Sequence, residues 1–267
     1  MDRALPFITQ AANEKKPFLA VIWFHAPHLP VVGHPKYMEA HYRDLPDNEQ
    51  HYFSCITALD AQMGRLRAHL RTLRIEQNTM LCFASDNGPE GNPGPRGHSQ
   101  GTSGKFRGRK RSLYEGGVRV PALAEWPGTL QPREVDTPCV SSDYFPTISA
   151  LLELPLTQRP YDGINILPIL QGAQQKRGNP IGFRFGRDQT LVDDRYKLVH
   201  NRGGLKRRRS DNGKVPVAEF ELYDLSVDPS ETRNIAEKSP EVAERMKRQL
   251  AAFMKSCEAS ANGKDYR

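Results

Sequence analysis

Three groups of residues in this chain are of types that do chemistry. The first is Asp86-Asn87-Gly88, which ends the apolar run Thr79-Met80-Leu81-Cys82-Phe83-Ala84-Ser85. A carboxylate and an amide oxygen side by side at a strand end are hard donors suited to a divalent cation such as Ca²⁺ or Mg²⁺. The same three residues also suit a plain Asx-turn, and on these residues alone both readings stand. The second group is His25 and His28, in the proline-stiffened stretch His25-Ala26-Pro27-His28-Leu29-Pro30. A stiff loop at a strand end suits a side chain that meets substrate, although two structural histidines would look the same. The third is the cationic cluster Lys105, Arg107, Arg109, Lys110 and Arg111, in a long Gly-rich stretch over 88–112 that also carries His98. Cations close to a candidate metal site suit a doubly charged oxyanion, sulfate or phosphate. Metal and ammonium would share the negative charge that shifts as an ester is cleaved.

These residues need elements to hold them. Residues 2–16 read as a helix stopped by Pro17. The continuous apolar run over 18–24 predicts a strand covered on both faces, and it delivers the histidine loop. Residues 31–47 read as a surface loop. Over 48–74, Ile56, Leu59, Met63, Leu66, Leu70 and Leu73 form one apolar helical stripe, which predicts a helix packed on a sheet. The run over 79–85 is then a central strand whose end carries Asp86 and Asn87 to the sheet rim, where ligands bind in open α/β sheets. A strand is expected over 118–126, and a helix over 143–153 with Phe145, Ile148, Leu151 and Leu152 inward. Further strands are expected at 181–185, 190–192, 196–200 and 219–225, then an amphipathic helix over 240–256. The early alternation of helix and strand predicts an α/β fold with a largely parallel sheet.

Composition sets the bounds. The chain has 267 residues, 37% hydrophobic and 26% charged, which is the balance of a globular protein. No apolar run reaches the length of a membrane span, and the N-terminus has no signal-peptide pattern. Cys55, Cys82, Cys139 and Cys257 are widely spaced, which argues against a zinc site or a disulfide framework; Cys55 and Cys82 fall on apolar positions. The net charge of +7 favours an anionic partner. A second basic run, Lys206-Arg207-Arg208-Arg209, reads as an exposed hairpin tip. No nucleic-acid motif accompanies either cluster, so no nucleic acid is expected.

The stretch over 106–121, Phe-Arg-Gly-Arg-Lys-Arg-Ser-Leu-Tyr-Glu-Gly-Gly-Val-Arg-Val-Pro, resembles the sulfatase signature L-R-G-G-K-x-T-L-Y-E-G-G-x-R-V-P. The resemblance extends in order along the chain. It includes Ala26-Pro27-His28-Leu29-Pro30, Ala58-Leu59-Asp60, Asp86-Asn87-Gly88, Trp126-Pro127-Gly128 and Asp143-Tyr144-Phe145-Pro146-Thr147. It continues through Asp162-Gly163-Ile164-Asn165 to Leu222-Tyr223-Asp224-Leu225 and Asp228-Pro229-Ser230-Glu231-Thr232-Arg233-Asn234. This similarity implies a partial alkaline-phosphatase-like α/β fold. A mixed, mostly parallel sheet flanked by helices would occupy 1–175. A small antiparallel sheet with a terminal helix would occupy 176–267.

The resemblance also implies roles. The equivalents of Asp86 and Asn87 bind a divalent cation, usually Ca²⁺, and those of Lys110 and His28 contact the sulfate, His28 near the leaving oxygen. The implied reaction is hydrolysis of a sulfate ester on a small molecule or glycan. Arg109 and Arg111, either side of Lys110, depart from the family's usual pattern, adding charge and stiffening the backbone. Sulfatases use a formylglycine made within a C/S-x-P-x-R motif, and no such motif occurs in this sequence. The expectation is therefore a fragment or misplaced start lacking an N-terminal portion, with low activity by itself. A periplasmic or secreted location would be open to the longer product. The alternatives are a split gene, or a non-catalytic binder of sulfated or other polyanionic ligands.

Overall fold

The computed structural model describes residues 1–90, 101–202 and 217–266. His98 and Lys206–Arg209 lie outside the described residues. The chain forms two compact units that interleave along the sequence. One comprises Met1–Ser85, Pro89–Thr102 and Pro121–Leu130; the other comprises Asp86–Gly88, Ser103–Val120 and Gln131–Arg267.

In the first unit, helix α1 (Ala4–Asn13) and the long helix α3 (Asp47–Thr72) are joined by the short helix α2 (Pro35–His41), where a loop was expected. His34 caps α2 by accepting the Lys36 N–H, and Pro35 supplies the fixed φ that suits a first turn. Helix α3 has Asp47 and Glu49 in its first turn and His69 and Arg71 in its last, the arrangement its dipole favours. Of its predicted stripe only Leu66 and Leu70 are fully buried, and Ile56 is exposed. Those two leucines pack with Ile8 of α1, and Phe18, Ile22 and Leu81 close the cluster. Strand β1 (Leu81–Ala84) pairs antiparallel with β2 (Ala122–Glu125). Cys55 is buried as expected, Cys82 half-buried, and burial pushes both thiols up.

The run over 18–24 departs most from expectation. Among the described residues it joins no ladder. Its side chains alternate: Phe18 and Ile22 face the core, whereas Leu19, Val21 and Trp23 are 65%, 67% and 91% exposed. Alternation is what backbone geometry imposes on extended chain. A run apolar at every position suits cover on both sides, and here one side has it.

The second unit is built on a four-stranded antiparallel sheet in the order β3 (Ile181–Phe185), β4 (Asp188–Val192), β5 (Tyr196–His200), β6 (Phe220–Asp224). Helix α4 (Glu115–Val118), α5 (Tyr144–Leu151), α6 (Leu167–Leu170) and the terminal α7 (Pro240–Ala261) complete it. The C-terminal sheet and its helix were expected, and the chain is of the α/β class. The described ladders, however, are all antiparallel, so the parallel pairing expected of the larger sheet is not seen among the described residues. We propose 175/176 as the start of the C-terminal subdomain, just ahead of β3. Helix α5 corrects a further expectation. Phe145 and Leu152 are 56% exposed, and the inward face is Pro146, Thr147 and Ser149. Asp143 organises this region. It accepts two hydrogen bonds of 2.7 Å from buried Arg177 and backbone bonds from Val140 and Ile164.

Register explains what β5 and β6 bury. Leu198 lies opposite Leu222 and both face α7, with Leu191, Met246 and Leu250. The alternate residues Lys197, Val199, Glu221 and Tyr223 face the other way, and all four are fully buried. Among the described residues, no helix is long and apolar enough to cross a membrane.

Candidate functional site

Asp86, Asn87 and Gly88 turn the chain away from β1. The Asn87 amide nitrogen donates to Asp86 Oδ1 at 3.1 Å and to the Gly88 carbonyl at 3.2 Å. The triplet bends the chain, with the Asn87 amide bonded to its own neighbours. Asp86 Oδ1 therefore already accepts the Asn87 amide N–H. Gly88 N–H donates to the Gly117 carbonyl at 2.9 Å. Three glycines permit this approach. A Cβ on Gly88 would lie 1.9 Å from the Gly116 oxygen, one on Gly116 2.2 Å from the Gly108 oxygen, and one on Gly117 2.0 Å from the Ser112 oxygen. The side-chain-free backbone thus fastens the Asp86-Asn87 turn onto the stretch over 107–117.

Lys110 stands at the crown of that stretch and is half-buried. The crown is a tight turn in which Ser112 N–H donates to the Arg109 carbonyl at 2.9 Å, and Gly116 N–H to the Arg107 carbonyl at 2.7 Å. Ser103 Oγ bonds the Phe106 and Gly108 carbonyls. Gly108 has φ +75, which suits glycine. Arg111 has φ +71, a left-handed conformation that costs a bulky residue about 1–3 kcal/mol. The stiffening expected of the arginines is thus found at Arg111 as backbone strain beside Lys110.

His28 belongs to the first unit, whereas Asp86, Asn87 and Lys110 belong to the second. Its loop contains cis peptides at Ala26-Pro27 and Leu29-Pro30 and is closed by His28 N–H to the His25 carbonyl at 2.8 Å. His28 Nδ1 lies 2.8 Å from the Leu29 carbonyl. A carbonyl only accepts, so Nδ1 carries the proton and Nε2 is the atom left to meet a ligand. The ring stacks on His25, centroids 5.3 Å apart, and is exposed.

Arg107, counted in the cationic cluster, does not join the others at the surface. It is buried, with its guanidinium 3.8 Å above the Tyr114 ring, 2.8 Å from Tyr223 Oη and 3.5 Å from Glu221. Tyr114 and Tyr223 both donate to Glu221, at 2.6 and 2.9 Å. Beside them, buried Lys197 reaches Glu115 at 2.9 Å and Glu231 at 3.0 Å, and Glu231 accepts the Glu115 backbone N–H at 2.6 Å. Burial pushes the Glu231 carboxyl up to about 7, against the pull of Lys197. Burial likewise raises the Tyr223 hydroxyl, helped by the charge of Glu221. Apart from Arg107, sequence reasoning gave these residues no role of their own. The available signal was a lysine and a glutamate inside otherwise apolar strands.

Asp86 and Asn87 fit a hard cation in kind, but supply two of the six to eight oxygens that Ca²⁺ takes. Among the described residues no group of three or more His, Cys, Asp or Glu side chains completes the shell.

Residues 1–154 match the family model described as Sulfatase. The chain belongs to the sulfatase family. Residues 104–256 also match the model described as N-sulphoglucosamine sulphohydrolase, C-terminal. Arylsulfatase G of Rattus norvegicus is 30% identical over 263 residues, covering 91% of this chain and 48% of the relative. Arylsulfatase A of Homo sapiens is 29% identical, covering 92% and 50%. The solved PsFucS1 sulfatase from Pseudoalteromonas sp. is 25% identical with a TM-score of 0.73, covering 96% of this chain and 52% of that structure. The chain spans about half the length of the curated relatives it matches.

Proposed function

We propose that this chain carries the sulfate-binding side of a sulfatase centre, and that the reaction it serves is hydrolysis of a sulfate ester on a small molecule or glycan. The observation that carries the reading is the stretch over 107–117, which presents Lys110 and is fastened through Gly88, Gly116 and Gly117 to the Asp86-Asn87 turn. Lys110 would donate to a non-bridging sulfate oxygen. His28, its Nδ1–H held by the Leu29 carbonyl, would present Nε2 to the departing oxygen and, when protonated, donate to it. Asp86 and Asn87 would hold part of the shell of a divalent cation, by resemblance Ca²⁺, which when bound neutralises sulfate charge.

No Cys or Ser of these 267 residues lies in a C/S-x-P-x-R motif, so the nucleophile is expected from outside them. The purified chain should release 4-nitrophenol from 4-nitrophenyl sulfate no faster than background. Titration with inorganic sulfate at constant ionic strength should shift the amide signals of residues 108–112 in the wild type but not in Lys110→Ala. Equal shifts in both proteins would refute the assignment of Lys110. Robust turnover by the purified chain would refute the external nucleophile. The burial of Arg107 weakens the alternative of a general polyanion binder, because it removes one cation from the exposed cluster.

A further inference from the structure

The buried face of β5 and β6 does more than fill space. The stretch that carries Lys110 is gripped at both ends by side chains from this sheet and from the segment after it. At the first end, Arg107 is held by Tyr223 Oη at 2.8 Å and by Glu221 at 3.5 Å, and lies on Tyr114, whose hydroxyl donates to the same Glu221. At the second end, Glu115 is held twice. Its backbone N–H donates to Glu231 Oε2 at 2.6 Å, and its carboxylate accepts from Lys197 at 2.9 Å. Between the ends, Gly116 N–H closes onto the Arg107 carbonyl at 2.7 Å. Only the short crown with the Arg109–Ser112 hydrogen bond remains, and Lys110 is on it. The ends of the stretch that carries Lys110 are therefore held by strand residues 82 to 116 positions further along the chain.

This buried set holds Arg107 and Lys197 against Glu115, Glu221 and Glu231, with Arg119 of the same loop 3.6 Å from Glu115. Replacing a buried ion pair or triad with apolar residues of similar size is often neutral or stabilising, so buried ion pairs of this kind are weak evidence of stability alone. What it supplies is geometry: buried, mutually bonded side chains have one arrangement, and the loop inherits it.

We propose that Tyr223 and Glu231 are positioning residues for Lys110, setting the affinity of this site for a sulfate group through the two ends of its loop. The proposal rests on the reading that Lys110 contacts sulfate. The test uses the 267-residue chain and inorganic sulfate, with affinity read from the amide shifts of residues 108–112 and chloride holding ionic strength constant. Tyr223→Phe removes a hydroxyl that bridges Arg107 and Glu221, and Glu231→Ala removes the acceptor for Glu115 N–H. Each should weaken sulfate binding by about tenfold, the scale expected when a binding group is slightly misplaced. Glu231→Gln keeps an acceptor oxygen and should stay within about threefold of wild type. Met246→Ala opens the other face of the sheet, lowers the melting temperature, and should leave sulfate affinity unchanged.

Wild-type affinity in both Tyr223→Phe and Glu231→Ala would overturn the proposal. So would an equal loss in Met246→Ala, which would mark the effect as general destabilisation. If Glu231→Ala fails to fold, Tyr223→Phe and Glu231→Gln decide by the same criteria. If Lys110→Ala responds to sulfate as the wild type does, the Lys110 reading itself is wrong and this proposal falls with it.

Discussion

Glu231 should make the stability of the second unit fall as pH rises through neutrality. Its carboxyl is fully buried, accepts the Glu115 N–H, and lies 3.0 Å from Lys197, which it shares with Glu115. Lys197 faces both carboxylates and Arg119 lies 3.6 Å from Glu115, so what disfavours ionising Glu231 is chiefly its burial where water does not reach, with the charge of Glu115 adding to it. Burial accordingly raises Glu231 from an ordinary 4.5 to about 7 in the folded chain. The raised value means the folded state holds the proton more tightly than the unfolded state does. The stabilisation is fully present below the unfolded value near 4.5 and is lost as pH rises through about 7. A shift of this size corresponds to on the order of 3 kcal/mol.

Glu231→Gln fixes the neutral form and should remove this dependence. Thermal unfolding followed by calorimetry at pH 5 and pH 8 would then give a wild-type melting temperature that falls further than that of the variant. The difference of differences is about 6–12 °C for about 3 kcal/mol in a chain of this size. Histidines and other carboxyls titrate in both proteins and cancel in the comparison. Parallel pH profiles, or a variant that loses more stability at pH 8 than at pH 5, would refute the argument that Glu231 is the group concerned.

Three other outcomes follow from particular contacts. Asp143→Ala leaves Arg177 buried without its bidentate partner and should destabilise the second unit by about 3–5 kcal/mol, measured by urea unfolding. Gly88→Ala places a carbon 1.9 Å from the Gly116 oxygen, so the Asp86-Asn87 turn must part from the 107–117 stretch. Amide exchange at position 88 should quicken by at least about tenfold relative to Gly88 of the wild type, while residues of β5 keep their protection. Trp23→Lys removes the most exposed large apolar side chain of the first unit, and should reduce binding of a hydrophobic dye with a melting temperature within about 1 °C of wild type.

What could be read from the sequence followed the range of the forces involved. Helix α3, the strands of the C-terminal sheet and helix α7 were visible because local periodicity and end charges specify them. The turn at Asp86-Asn87-Gly88 was visible because Asp, Asn and Gly favour turns. The 18–24 run was misjudged because apolarity at every position reports what a strand can tolerate on its two faces, not what lies against them. Leu19, Val21 and Trp23 are exposed for that reason. Helix α5 was misjudged for a related one. Asp143, bound to Arg177 thirty-four residues on, sets which side of α5 faces inward, and Thr147 is drawn in to accept the Ile166 N–H. Arg107 is the most instructive case. By type and neighbours it belongs with Lys105, Arg109, Lys110 and Arg111 as a surface cation. Its burial follows from Tyr223 and Glu221, more than a hundred residues away, whose strand pairs Val199 with Glu221 and Lys197 with Tyr223. The two strands must be in register before that pocket exists. A basic cluster in a sequence can therefore include a cation that holds the loop, and for Arg107 the far sheet makes that distinction.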